Sequence, residues 1–169
     1  MTGVVVSTHE RQTAVKSWLR AAALNPQKTL EEWATSGFTL LECGTLFSAV
    51  RIPADLVHAA AQSVEPVDVD AFLLQALSGG PVIVDPHRQR FYALVPDSTS
   101  LRWDVLGTLC LGRSSCLGVP RPDLTEPQRD RSYWSVPMDS PGDLCVPGEV
   151  MQMIERGRAL PLPGAEAKR

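Results

Sequence analysis

Residues 80–96, GPVIVDPHRQRFYALVP, constrain this chain more than any other stretch. Two β-type runs flank Asp85, Pro86 and His87, turn residues that break the first run before Phe91, Tyr92, Leu94 and Val95 restart it. A hairpin is predicted there, and a sheet therefore organises whatever surrounds it. The segment identifies a scaffold and carries no chemistry of its own.

The elements on either side supply helices. Ser7-Thr8-His9-Glu10 has the spacing of a capping box, and Ala14, Val15, Trp18, Leu19 and Ala22 then share one helical face, so a first helix runs to about Leu24. Asn25-Pro26 stops it. Thr29 with Glu32 reads as a second capping box, opening a short helix that Gly37 ends. Two strands follow, Phe38 to Cys43 and Thr45 to Ile52, joined tightly at Gly44. Pro53 opens a helix through about Gln62, and Asp68 or Val69 opens another through Ser78. Beyond the hairpin, Asp97, Ser98 and Thr99 suit the cap of a helical turn holding Trp103. Leu109 to Leu111, Cys116 to Val119 and Tyr133 to Val136 read as strands, with Gly112 and Gly118 marking a bulge or strand end. A last helix starts at Pro147 and uses Val150, Met151, Met153 and Ile154.

Helices first, antiparallel strands in the middle and helix again at the end predict an α+β fold, a mostly antiparallel sheet with flanking helices, rather than a βαβ alternation. At 169 residues, 44 % hydrophobic, the chain suits a single domain over residues 1–160 with a buried core. Residues 161–169 are too poor in apolar groups to order and are expected to form a disordered tail. No charged start with an apolar core marks a signal peptide, and no run of about 18 apolar residues marks a membrane span. A cytoplasmic protein with no membrane partner is expected. Cys43, Cys110, Cys116 and Cys145 lie far apart in such a setting and are expected as buried or free thiols, neither a disulfide framework nor a zinc site.

The chemistry-bearing residues are scattered. Asp68 and Asp70 resemble a paired-carboxylate metal site, but they follow Pro66 at a helix start, where acids favour the positive end of the dipole, and that role is assigned to them. His9, His58 and His87 share no helical spacing and are assigned no catalytic role. No GxSxG, P-loop or GxGxxG segment occurs, so those acyl-transfer, Walker-type and dinucleotide signatures are missing. Neither a metal nor a cofactor is expected.

Charge singles out one region. The net charge is −3, and residues 1–80 carry five Lys or Arg against eight acids, whereas residues 88–131 carry seven arginines against five acids. Guanidinium forks suit phosphate and carboxylate. Arg88, Arg90, Arg102, Arg113, Arg121, Arg129 and Arg131, with Trp103, Tyr133 and Trp134 as stacking platforms, are the residues a single-strand nucleic-acid binder would use. Solvated loop charge and aromatic core packing are the alternative reading of the same residues.

The ordered segments FSAVRIP, GPVIVDPHRQRFYALVP, LRWDVL, CLGRSSCLGVPRPD and YWSVPMDSPG resemble those of actinobacterial proteins carrying the bifunctional primase-polymerase-like domain, over residues 38–156. In that resemblance Phe47 to Pro53 is the first strand, Gly80 to Pro96 the hairpin, Leu111 to Pro120 the Leu-Gly strand pair and Trp134 to Pro137 the last strand. Active members of the wider superfamily hold two metal ions on acidic residues and contact nucleotide phosphate through a histidine. Here Ser48 stands where an aspartate would be, and Ser114-Ser115-Cys116-Leu117-Gly118 supplies no histidine. The resemblance therefore implies a catalytically degenerate member.

Together these readings predict a non-catalytic binding or regulatory module that contacts nucleic acid or nucleotide phosphate through arginine. The alternative is a protein-interaction adaptor with no nucleic-acid role. A weaker third reading assembles an enzyme site from Asp85, His87 and Asp139.

Overall fold

A computed structural model describes residues 7–164. The apolar start at residues 1–6 and the last part of the expected tail, residues 165–169, lie outside the described residues. Within them Pro161 is tied down, since its carbonyl accepts from Nε2 of Gln62 at 2.9 Å.

The first helix, α1 (Thr8–Arg20), opens on the expected capping box: the Ser7 hydroxyl accepts from the N–H of Glu10, and the Glu10 carboxylate accepts from the N–H of Ser7. The second, α2 (Pro26–Thr35), starts earlier than the Thr29–Glu32 box predicts. Asn25 is its N-cap, with Oδ1 accepting from Lys28 N–H, and Pro26 takes the first helical position, where its missing N–H costs nothing. Thr29 is buried inside that helix.

Strand β1 (Phe38–Glu42) and strand β2 (Ser48–Pro53) form no hairpin about Gly44, contrary to what their tight join suggests. Cys43 to Phe47 carries the chain from one sheet to another. Next come α3 (Ala54–Ala61) and α4 (Pro66–Ala76), the latter begun at Pro66 rather than Asp68 because proline again takes the first helical position. The hairpin forms as predicted, β3 (Val82–Val84) against β4 (Arg90–Val95), with Asp85 Oδ1 accepting from the N–H groups of Gln89 and Arg90 across the turn. A 3-10 turn (Asp97–Leu101) follows; Trp103 lies two residues past it, its N–H donating to Thr99. Strands β5 (Leu109–Leu111), β6 (Cys116–Pro120) and β7 (Tyr133–Val136) precede α5 (Pro147–Ala159).

All strand pairs are antiparallel, in a five-stranded sheet of order β5-β2-β4-β3-β7 and a two-stranded sheet β1-β6. The neighbours β5 and β6 thus belong to different sheets. Gly118 ends no strand; it sits inside β6 beneath the Phe38 ring, where a Cβ would lie 2.3 Å from a ring carbon. The one register irregularity lies instead at Val82/Ile83, against β7.

Alternation along each strand splits the core between two faces. Val50, Ile52, Val84, Phe91, Ala93 and Val95 point to a layer of α3, α4 and α5, meeting Val57, Ala60, Leu73, Val150 and Ile154. Ala49, Ile83, Leu94 and Trp134 point the other way, to Leu19 of α1, Trp33 of α2 and Leu41, Leu117 and Val119 of the small sheet. The molecule is therefore an α+β domain in three layers, with the five-stranded sheet in the middle. Two tryptophans finish the small sheet: Trp33 Nε1 donates to the Val119 carbonyl at 3.1 Å and Trp134 Nε1 to the Pro120 carbonyl at 3.0 Å. Among the described residues no helix is long and apolar enough to cross a membrane.

Candidate anion-binding site

The sheet order separates the predicted arginines. Val84, Arg90, Tyr133 and Pro53 mark one end of the large sheet; Val95, Val136 and Ser48 mark the other. Arg88 and Arg90 lie on the hairpin at the first end, and Arg131 joins them through Ser132, whose hydroxyl donates to the Val84 carbonyl. Arg129 precedes them in the same exposed loop. Arg113 follows β5 at the far end, against Gly44. Arg121 belongs to the small sheet, paired with Asp123 and donating to the Trp33 carbonyl at 3.2 Å. Arg102 lies beside α5, in a separate groove. No single arginine face results.

The aromatic platforms fare differently. Trp134 is 0 % exposed, so it fills the core and has no free face on which a base could stack. Tyr133 is also buried. Trp103 is partly exposed, with Nε1 donating to Thr108 Oγ1 at 2.8 Å.

What the topology does assemble is a pair that composition could not show, Arg51 with Arg90. In β2, Arg51 stands opposite Tyr92 of β4, and Pro53 opposite Arg90. Directly opposed residues share a face, so Arg51 and Arg90 are diagonal neighbours about 7–8 Å apart along the backbone. They occupy the face that carries Ala49 and Leu94, beyond the part covered by α1, α2 and the small sheet. A groove of about 530 Å³ lies there, lined by Arg51, Pro53, Gln89, Arg90, Gly107, Thr108 and Leu109. No carboxylate lines it. Among the described residues the ion pairs are Arg11–Asp139 and Arg121–Asp123, so neither groove arginine is neutralised. Adjacent like charges destabilise a sheet by fractions of a kcal/mol, a cost that an anion seated between them removes. The Gln89 amide adds a neutral donor, whereas the Thr108 hydroxyl is already spent on the Val105 carbonyl.

Other candidates resolve into structural roles. Asp68 lies in the first turn of α4, as the dipole argument predicts, and accepts from Ser63. Asp70 does not. It is the fifth residue of that helix, and its carboxylate accepts from Ser135 Oγ at 2.5 Å and from Tyr133 Oη at 3.1 Å. Burial pushes its pKa up, and the hydrogen bonds from Ser135 and Tyr133 and the charge of Arg88 draw it back. Ser48 is fully buried and donates to the Asp97 carbonyl at 2.9 Å, tying β2 to the 3-10 turn. His58 lies edge-on to Phe91, its pKa lowered by burial against the pull of Asp55. Asp85 and His87 sit at the hairpin end of the sheet and Asp139 beyond Val136 at the other, held by Arg11, so the three do not converge. Among the described residues no three of His, Cys, Asp and Glu gather as metal ligands would. Burial raises the Cys43 and Cys145 thiols to about 12 and Cys110 to about 11, which keeps them protonated and unreactive; Cys116 alone is exposed.

Compared with protein-family models, with curated proteins and with solved structures, the chain matches none.

Proposed function

We propose that this chain is a non-catalytic, primase-polymerase-like module of the cytoplasm that binds a phosphate-bearing ligand, nucleotide or single-stranded nucleic acid, in the groove between Arg51 and Arg90. One observation carries the reading: two guanidinium groups on neighbouring strands, neither in an ion pair, share a sheet face and a groove that no carboxylate lines. The net charge of −3 gives no general attraction for a polyanion, so affinity has to come from this local pair. The kinship itself rests on the sequence segments, and Ser48, engaged with the Asp97 backbone, supports a fold kept for binding rather than metal-dependent transfer.

The test is a salt titration of a fluorescent single-stranded oligonucleotide followed by anisotropy. Observed affinity should fall linearly on logarithmic axes, by roughly 0.7 per phosphate contact. The double variant Arg51→Ala/Arg90→Ala should lose about 1.4 from that slope, two contacts' worth, while Arg113→Ala at the far end leaves it unchanged. Binding indifferent to salt, or a double variant that binds as the parent does, overturns the proposal. The adaptor reading draws on a different feature, an apolar groove between the 3-10 turn and α5 lined by Leu101 and Met151.

A further inference from the structure

Donors dominate the groove between β2 and β4. The guanidinium groups of Arg51 and Arg90 and the Gln89 amide face it, with Pro53, Gly107 and Leu109 as apolar walls. Asp85 is turned into the hairpin, where its Oδ1 accepts from the backbone N–H groups of Gln89 and Arg90, and it does not line the groove. That contact fixes the backbone from which both side chains project. Arg88, two residues before Arg90, lies on the other face of the sheet with Tyr133 and Phe91. The cations lining the groove are therefore two, set diagonally on adjacent strands.

Each guanidinium is a planar fork that takes two oxygens of one phosphate. A lone phosphate on one fork leaves the second cation without a counter-charge, whereas two phosphates joined in a chain supply both. A base finds no comparable partner here. No aromatic ring lines the groove: Tyr92, opposite Arg51 on the same face, packs against the core of α1 and the small sheet, and Trp103 lines the separate groove beside α5. Stacking, the main contact of single-strand binders, is thus missing from it. Its volume of about 530 Å³ is that of a small-molecule site. We infer that the ligand of this groove is a short linear oligophosphate, inorganic or the 5′ tail of a nucleoside triphosphate, held by Arg51 and Arg90 through its phosphate chain without regard to the base. This rests on the phosphate-binding role proposed for the groove and narrows it.

Isothermal titration calorimetry of the full chain with inorganic tripolyphosphate, ATP, CTP and AMP tests it. Tripolyphosphate, ATP and CTP should bind alike, within about threefold, and AMP about tenfold or more weakly. Arg90→Ala, at the exposed end of β4, should weaken the first three by one common factor of about tenfold. ATP binding tenfold tighter than tripolyphosphate, a preference of that size between ATP and CTP, AMP binding as ATP does, or an Arg90→Ala variant that binds tripolyphosphate as the parent does, overturns the inference. The first three outcomes need only the parent chain, so they decide the matter even if a variant misfolds. Should the oligonucleotide salt slope fall in Arg51→Ala/Arg90→Ala while tripolyphosphate fails to bind the parent, this inference fails and the phosphate groove stands; should neither ligand respond to that double variant, both fail.

Discussion

Asp70 is the side chain whose environment departs furthest from its sequence context. Its carboxyl is half-buried between α4 and β7, and burial raises its pKa above the ordinary 3.8 despite the hydroxyls of Ser135 and Tyr133 and the nearby Arg88. The folded state therefore holds this proton more tightly than the unfolded chain. The stabilisation is complete below about pH 3.8 and is lost as pH rises through the raised value. Asp70→Asn should remove that decline, so urea denaturation across pH 4–7 should show a shallower loss of stability in the variant; identical slopes refute the assignment. His58 works with the opposite sign. Its pKa is lowered from 6.5, so its contribution is complete above that pH and lost as pH falls, and His58→Gln should spare the fall of stability below it. Neither behaviour was legible in the sequence, which placed Asp68 and Asp70 together at a helix start. Pro66 moves that start back, leaving Asp68 in the first turn and turning Asp70 toward the sheet. Arg51 was hidden for a related reason: a lone cation in an apolar run has no visible partner until strand register brings Arg90 beside it.

At the level of elements, local signals were read well and pairings were not. The Ser7 box, the hairpin, the helix begun at Pro147 and the strand at Tyr133 all rest on neighbours within a few residues, and the chain shows them. Which strand lies beside which depends on burial across the whole fold, so β1 and β2, adjacent in sequence, part to different sheets. Helix contacts are equally non-local. Against α3, α5 sets the Arg156 Nε donating to the Ala60 carbonyl at 2.8 Å and the buried Gly157 over Leu56. A Cβ at Gly157 would lie 2.2 Å from the Leu56 carbonyl oxygen, so the ordinary gain of about 1 kcal/mol for glycine to alanine in a helix is outweighed by overpacking of about 1–3 kcal/mol. Gly157→Ala should lower stability in chemical denaturation. Gly148→Ala, in the first turn of the same helix with nothing within 4 Å of its Cβ, should raise it by a few tenths to about 1 kcal/mol. The same sign for both substitutions refutes the packing argument.

For the molecule as a whole, one sheet serves two cores. Its strands send Val50, Ala93 and Val84 into one layer and Ala49, Leu94 and Ile83 into the other, so neither layer can come apart without exposing the back of the other. A single cooperative transition is expected. Tryptophan emission reports mainly on the layer of Trp18, Trp33 and Trp134, and far-ultraviolet circular dichroism on helices of both layers. Their denaturation curves should coincide; separate midpoints would show that the layers unfold independently.

The pairing of β1 with β6 also bears on how the chain comes into being. Leu41 lies opposite Leu117, and Trp33 and Val119 meet across a comparable stretch of intervening sequence. As a ribosome extrudes the chain from its N-terminus, Leu19, Trp33 and Leu41 emerge long before the residues that will cover them. Until residues 117–119 follow, those apolar side chains stand uncovered, the kind of nascent segment that holdase chaperones grip.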